Sequence, residues 1–226
     1  VKRLTNWLFL ILTMFLLCSP AAGSVKLPNQ AEQYLPLLKY EIDTHWAWHP
    51  LREHAAGSVE QESLWKVNAQ LKTSREWGCG FGQFTIAYDK NGKVRFDALE
   101  ETKRLHPSLK EWSWEDCTNA QYQLRAMLLK QKAGYRSCEV QMANPREALA
   151  CEAAKYNGGA GSISKRIRLC RMDAKCDPEY WYGNLETKCA QSNVKVAGYG
   201  ESFCMINSKY PGRVESRSKK YQGMLD

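Results

Sequence analysis

Glu62 and Ser63, with Gly80-Phe81-Gly82-Gln83 following in the chain, are the residues whose types and spacing could do chemistry. A carboxyl on a helix, with a glycine-framed turn close behind it, can supply a general acid beside a groove for a ligand. In a helix over residues 51–65, Ala55, Val59 and Glu62 fall at i, i+4 and i+7, so Glu62 lies on the inward stripe. Burial disfavours a carboxylate's charged form and raises its pKa, which keeps the proton available near neutral pH. The plain alternative is a Glu at the stripe edge that swings out to water. In residues 79–85, Gly80 and Gly82 allow backbone angles and close approaches that larger residues resist. Gln83 there offers both a donor and an acceptor. An ordinary glycine-rich turn has the same composition.

The elements that must position these residues follow from apolar spacing and breakers. Leu35, Leu38, Ile42 and Trp46 mark a helix over residues 31–46, with Pro36 near its first turn. Trp46-Ala47-Trp48-His49-Pro50 ends it, because a residue before proline avoids the helical region. Both tryptophans are read as core, and stacking on sugar rings is the other use of such residues. Asn91-Gly92 predicts a hairpin between residues 84–88 and 94–96. A short helix over 98–105 stops before Pro107, and Trp112 and Trp114 are again read as core. Thr118 can cap a helix carrying Leu124, Met127 and Leu128, with Gly134 as its stop. Asn144-Pro145-Arg146-Glu147 opens another helix, with Leu149, Ala153 and Tyr156 on one face and Asn157-Gly158-Gly159 at its end. Asn and Gly commonly end helices with no part in chemistry. Ile163 and Ile167 predict a basic helix reaching Cys170. Residues 176–200 read as irregular. A terminal helix occupies the later part of 209–225, limited by Pro211-Gly212.

The 226 residues suffice for one domain with a proper core. Lys2 and Arg3, an apolar run from Trp7 to Cys18 and the small residues that follow describe a signal peptide over residues 1–23, cleaved near Gly23. A retained anchor is the alternative, although the run is short of the ~20 residues a span needs. Residues 24–226 then form a single domain. Removing residues 1–23 leaves 30 basic against 24 acidic residues, a net charge of +6. A basic exported protein meets acidic partners such as cell wall, membrane surface or nucleic acid, or is merely kept soluble. Eight cysteines remain after Cys18 is lost, an even number in an exported chain, which predicts disulfides of unspecified pairing. Most of them lie where apolar periodicity is weakest, so staples replace missing core. The absence of Cys-x-x-Cys and finger-spaced histidines argues against zinc, and nothing calls for a cofactor. His45, His49, His54 and His106 are expected in surface or capping roles, and no phosphate loop or Ser/His/Asp set stands out.

Three pieces therefore occur in one order: Glu62-Ser63, Gly80-Phe81-Gly82-Gln83, and Ala154-Lys155-Tyr156-Asn157-Gly158-Gly159. The set resembles the soluble lytic transglycosylase and goose-type lysozyme family, in particular its phage-like members. The resemblance covers residues 51–169, and more loosely Trp181-Tyr182-Gly183-Asn184 and residues 210–221. It implies a mainly α, lysozyme-like helical domain with a small β element and a groove for alternating amino-sugars. Residues 170–226 would form a disulfide-stapled C-terminal part. By position, Glu62 matches the catalytic acid/base and Ser63 its support. Gln83 matches a groove wall, and Tyr156 and Asn157 match the pair facing the acid. Phe81 and Gly82 depart from the family's larger apolar residues, and Gly82 could widen the groove. Lys155 stands where Ala is common.

The implied activity is cleavage of peptidoglycan glycan strands by a monomer, with no nucleic acid and no stable membrane partner. No second carboxylate stands at a matching position, so the resemblance favours a one-acid lytic transglycosylase that leaves 1,6-anhydro-MurNAc ends. The rival is a hydrolytic lysozyme in which Glu76, Asp89 or Asp97 positions a water, although a helix cap is the simple role for Asp97. A non-catalytic wall-binding protein is a further reading, and nucleic-acid binding by the basic C-terminal part has only charge behind it.

Overall fold

Glu62 sits in the last turn of a helix spanning Arg52–Ser63 (α2), as its spacing predicts, with Ala55 and Val59 buried beneath it. In the computed structural model, residues 26–196 and 200–226 are described, and the signal peptide expected over residues 1–23 lies outside them. Among the described residues the protein is mainly helical, with a small antiparallel sheet and four disulfides. The helix before α2 is Ala31–His45 (α1). Strands Gln70–Lys72 (β1), Glu76–Cys79 (β2), Phe84–Tyr88 (β3) and Val94–Asp97 (β4) follow α2, and then Ala98–Lys103 (α3). The second half holds Ala120–Glu139 (α4), Pro145–Gly158 (α5), Ala160–Arg171 (α6) and Phe203–Ser218 (α7).

The sheet runs in the order β1-β2-β3-β4, every pair antiparallel. The β3–β4 hairpin matches the Asn91-Gly92 expectation. Asp89 organises it by accepting from the Asn91 and Lys93 amides at 2.8 and 3.0 Å, while Gly92 takes φ +79°. The polar stretch before Gly80 forms β1 and β2. Its side chains are mostly exposed, so no alternation of apolar residues announced the pairing. Cys79 pairs with Phe84, which makes Gly80–Gln83 the connection between β2 and β3.

Two helix limits read from glycine and proline are overturned. α4 is capped by Asn119, not Thr118, with Asn119 Oδ1 accepting from Gln121 and Tyr122, and it runs through Gly134 to Glu139. Gly134 serves close packing: a Cβ there would lie 3.1 Å from Glu152 Cγ of α5. α7 likewise passes through Pro211 and Gly212. An interior proline costs about 3 kcal/mol, and packing offsets it. Tyr210 and Val214 are buried, and α7 lies so close to α2 that a Cβ on Gly57 would meet Val214 O at 2.8 Å.

α5 starts as expected, with Asn144 Oδ1 accepting from the Glu147 amide at 3.1 Å, and ends at Gly158 before Gly159 at φ +79°. Disulfides join Cys79 to Cys117, Cys138 to Cys151, Cys170 to Cys176 and Cys189 to Cys204. The first fixes the strand entering the glycine turn, and the second fixes α4 to α5. The irregular segment before α7 is built around Arg166 of α6, which is fully buried and stacked on Trp181. Its guanidinium donates to the carbonyls of Leu185 and Glu186 at 2.9 and 3.2 Å and to Asn207 Oδ1 at 3.1 Å. Polar contacts thus replace the regular ladder those carbonyls lack. One apolar core runs from Ala31 to Leu225, including Trp46 and Trp112. Trp48 is not core but half-exposed, beside Lys132 and Arg136.

Candidate active site

α2 breaks immediately after Glu62-Ser63. Leu64 and Trp65 both adopt left-handed backbone, at φ 53° and 63°. Such residues cost on the order of 1–3 kcal/mol each and persist only where surrounding structure over-determines them. Trp65 is fully buried, and its indole N–H donates to the Tyr221 hydroxyl at 2.7 Å. That anchorage turns the chain away and leaves Glu62 at the open end of the helix. The third non-glycine residue with positive φ among those described is Gln83, at 46°. All three lie in the segments that build one cleft.

The cleft has a volume of about 560 Å³ and is lined by Glu62, Gln83, Lys130, Glu152, Tyr156 and Asn157, among others. α2, the β2–β3 turn, α3, α4 and α5 all contribute to its lining. The Glu62 carboxyl is pushed up to about 7, first by burial; a hydrogen bond from Tyr210 and the charge of Lys130 hold it from rising further. The Tyr210 hydroxyl donates to Glu62 Oε1. The Tyr156 hydroxyl donates to the Gly82 carbonyl at 2.9 Å and so ties α5 to the turn. Burial, with the nearby charge of Glu62, raises the pKa of both phenols well above the usual tyrosine range, so they remain donors.

Gly82 does not widen the groove. A Cβ there would fall 2.5 Å from Met127 Cγ, 2.7 Å from Phe84 Cε2 and 2.7 Å from the Tyr156 hydroxyl, so neighbouring side chains already fill the space. Phe81 is fully buried against Tyr34 and Trp65. Gln123 of α4, fully buried, fastens the turn: its Oε1 accepts from the Phe81 amide, while its Nε2 donates to the Val67 and Cys117 carbonyls at 3.0 and 2.7 Å. The sequence matches no protein-family model and no curated protein.

Of the five residues the sequence singles out, Glu62, Gln83, Tyr156 and Asn157 line the cleft. Ser63 does not. It is buried, with its hydroxyl donating to the Val59 carbonyl at 3.0 Å within the same helix, and offers Glu62 no hydrogen bond. Gln83 donates from Nε2 to the Gly80 carbonyl at 2.9 Å, and Asn157 accepts from Asn207 at 3.1 Å. Lys155, also lining the cleft, donates to Ser137 Oγ at 2.6 Å.

The carboxylates considered for water activation have other work. Glu76 pairs with Arg95 at 3.2 Å on the sheet surface, and Asp89 holds the hairpin. Asp97 caps α3, accepting from the Glu100 amide at 3.0 Å and from the Trp114 indole at 3.2 Å. Two other carboxylates line the cleft, Glu101 and Glu152. Glu152 is almost fully buried, with Oε2 at 3.3 Å from His54 Nε2, and burial raises its pKa. His54 and His49 are therefore interior, not surface, histidines. His106 keeps the capping role, its Nδ1 accepting from the Ser108 amide.

Sequence reasoning missed Tyr210, Lys130, Glu152 and Gln123 as site-building residues. Glu152 lies four residues before Tyr156 on the same face of α5, so helical spacing was its available signal. Lys130 carried a weaker one, three residues after Met127 in a helix already expected. Nothing local marked Tyr210, whose neighbour Pro211 argued against a helix there.

Proposed function

We propose that the protein is a peptidoglycan-cleaving lytic transglycosylase with a lysozyme-like fold, acting on the β-1,4 bond between MurNAc and GlcNAc. The observation that carries this reading is the Glu62 carboxyl, held by Tyr210 in a cleft and raised to about 7. A carboxyl in that state holds its proton for a leaving oxygen and accepts one afterwards. The cleft is large enough for sugar residues, and its wall carries the side-chain amides of Gln83 and Asn157, groups that orient hydroxyl-rich ligands.

In this reading Glu62 gives its proton to the glycosidic oxygen as the bond to the MurNAc anomeric carbon breaks. The bonding pair leaves with that oxygen, and the substrate's N-acetyl group steadies the cation-like carbon. Glu62, now a carboxylate, takes the proton of the MurNAc 6-hydroxyl as its oxygen closes on the anomeric carbon. The product is a 1,6-anhydro sugar, and no water is consumed. Holding the hydroxyl in line substitutes orientation for a second carboxylate.

A hydrolytic lysozyme is the second reading, favoured by the presence of Glu101 and Glu152 in the same cleft. Either could orient a water, although the contact with His54 already engages Glu152. Four disulfides fit an oxidising compartment, so the substrate would be met in the periplasm or outside the cell. The protein would act as a monomer on glycan strands, without a nucleic-acid partner.

Mass spectrometry of digested peptidoglycan tests the reaction type. Anhydro-muropeptides are expected, and products each heavier by one water would replace the transglycosylase with the lysozyme. A Glu62→Gln protein that clears cell walls at the wild-type rate would return the reading to a non-catalytic wall-binding protein.

A further inference from the structure

Lys130 projects from α4 into the cleft beneath the ring of Tyr156, its ammonium 4.5 Å from the ring centroid. It makes no hydrogen bond and no ion pair within 4 Å of a carboxylate among the described residues. Yet carboxylates face it from three elements: Glu62 from α2, Glu101 from α3 and Glu152 from α5. A lysine desolvated by protein would ordinarily pair with one of them directly or lose its proton. Here the ammonium stands between several carboxylates and in contact with a π face, an arrangement that leaves it able to answer a change of charge at any of them.

We propose that Lys130 is the counter-charge of Glu62, a positioning residue that balances the carboxylate formed when Glu62 gives up its proton, with Glu101 and Glu152 as the other carboxylates that face this ammonium. The inference rests on the assignment of Glu62 as the acid and names a further residue for the same reaction. The step it serves is the one already written: the O–H bond of the Glu62 carboxyl breaks, the proton goes to the leaving oxygen, and the electron pair stays on Glu62. Tyr210 stabilises that charge through its hydrogen bond and Lys130 through space. The other groups around Lys130 do not replace it. Lys155 is engaged with Ser137, Tyr156 donates to Gly82, and Glu101 and Glu152 would repel a second negative charge.

The burial pattern agrees. Desolvation lowers the pKa of Lys130, and the negative charges of Glu62, Glu101 and Glu152 oppose that lowering. Reciprocity then ties the two groups together. If the ammonium favours ionised Glu62, ionised Glu62 favours the ammonium by the same free energy.

The experiment reads the two titrations directly, so it does not depend on activity. Glu62 is followed by carboxyl 13C NMR in wild type, Lys130→Met and Lys130→Arg, and Lys130 by side-chain 15N NMR in wild type, Glu62→Gln and Glu152→Gln. Lys130→Met is expected to raise the Glu62 midpoint by about one pH unit, and Lys130→Arg to restore most of it. Glu62→Gln and Glu152→Gln should each lower the Lys130 midpoint. An unchanged Glu62 midpoint in Lys130→Met overturns the proposal. If that variant does not fold, an unchanged Lys130 midpoint in Glu62→Gln overturns it equally, because the coupling must appear from both sides. Coupled titrations in a protein whose Glu62→Gln variant still cleaves walls would uphold the electrostatic pair and reject the catalytic assignment of Glu62, so the two failures are distinct. With activity present, Lys130→Met should lower kcat about tenfold or more with little change in KM, and carry the alkaline limb of the pH profile upward with the Glu62 midpoint.

Discussion

The hydroxyl of Tyr210 donates to the carboxyl of Glu62 across 148 residues of sequence. One partner ends α2 and the other lies in the middle of α7, so the contact exists only because these helices pack directly together. Gly57 makes that approach possible, since a Cβ there would fall 2.8 Å from the Val214 carbonyl of α7.

Tyr210→Phe is expected to raise the Glu62 pKa above about 7, because the lost hydrogen bond favours the ionised form. A hydrogen bond to a charged group contributes about 1.5–3 kcal/mol. The rate should therefore fall on the order of 10- to 100-fold, with the alkaline limb of the pH profile moved upward. Steady-state kinetics on purified sacculi across pH 5–9 check both. A profile that moves downward would contradict this role for the phenol.

Glu62→Gln should change stability in a pH-dependent way. The folded carboxyl is raised to about 7 from an ordinary value of 4.5, so between those values the folded state keeps a proton that the unfolded state has released. Stability attributable to Glu62 therefore falls as pH rises through that window. Relative to wild type, the glutamine variant should gain about 2 kcal/mol on going from pH 4 to pH 8, after discounting for the group's partial exposure. Urea denaturation of both proteins at the two pH values measures it. Parallel stability curves would mean that the carboxyl is not strained by its site.

Gly82→Ala should destabilise the protein by about 1–3 kcal/mol, because the new methyl meets Met127, Phe84 and the Tyr156 hydroxyl at 2.5–2.7 Å. Wall cleavage should fall as well, since the Tyr156–Gly82 link that aligns α5 with the turn must shift. Combined with Met127→Ala, the total loss should be smaller than the sum of the two single losses, and thermal unfolding of both single variants and the double tests the coupling. Additive losses would show that Met127 is not what the methyl strikes.

Local rules made much of the scaffold legible. Apolar spacing put Glu62 on the inward face of α2, Asn91-Gly92 gave the β3–β4 hairpin, and Asn144-Pro145 opened α5 while the glycines after Asn157 closed it. These succeed because caps, turns and helical stripes depend on residues a few positions apart. The order of Glu62, Gln83 and Tyr156-Asn157 likewise gave four residues that line one cleft.

Where local rules misled, tertiary packing had overridden them. Gly134 reads as a stop but permits α4 to approach Glu152, and Pro211 reads as a limit but lies within a helix held by α2 and α5. Ser63, given by the resemblance as support for the acid, instead bonds its own helix, since a serine oxygen four residues from a carbonyl finds that partner first. By itself, then, the sequence determined that Glu62 faces inward and which turn and helix end accompany it. Only the tertiary structure decided what holds its charge. Tyr210 bonds Glu62 and Lys130 shares its cleft from helices distant in sequence, and the desolvation that raises its pKa belongs to the packed cleft, a property no local run of residues can encode.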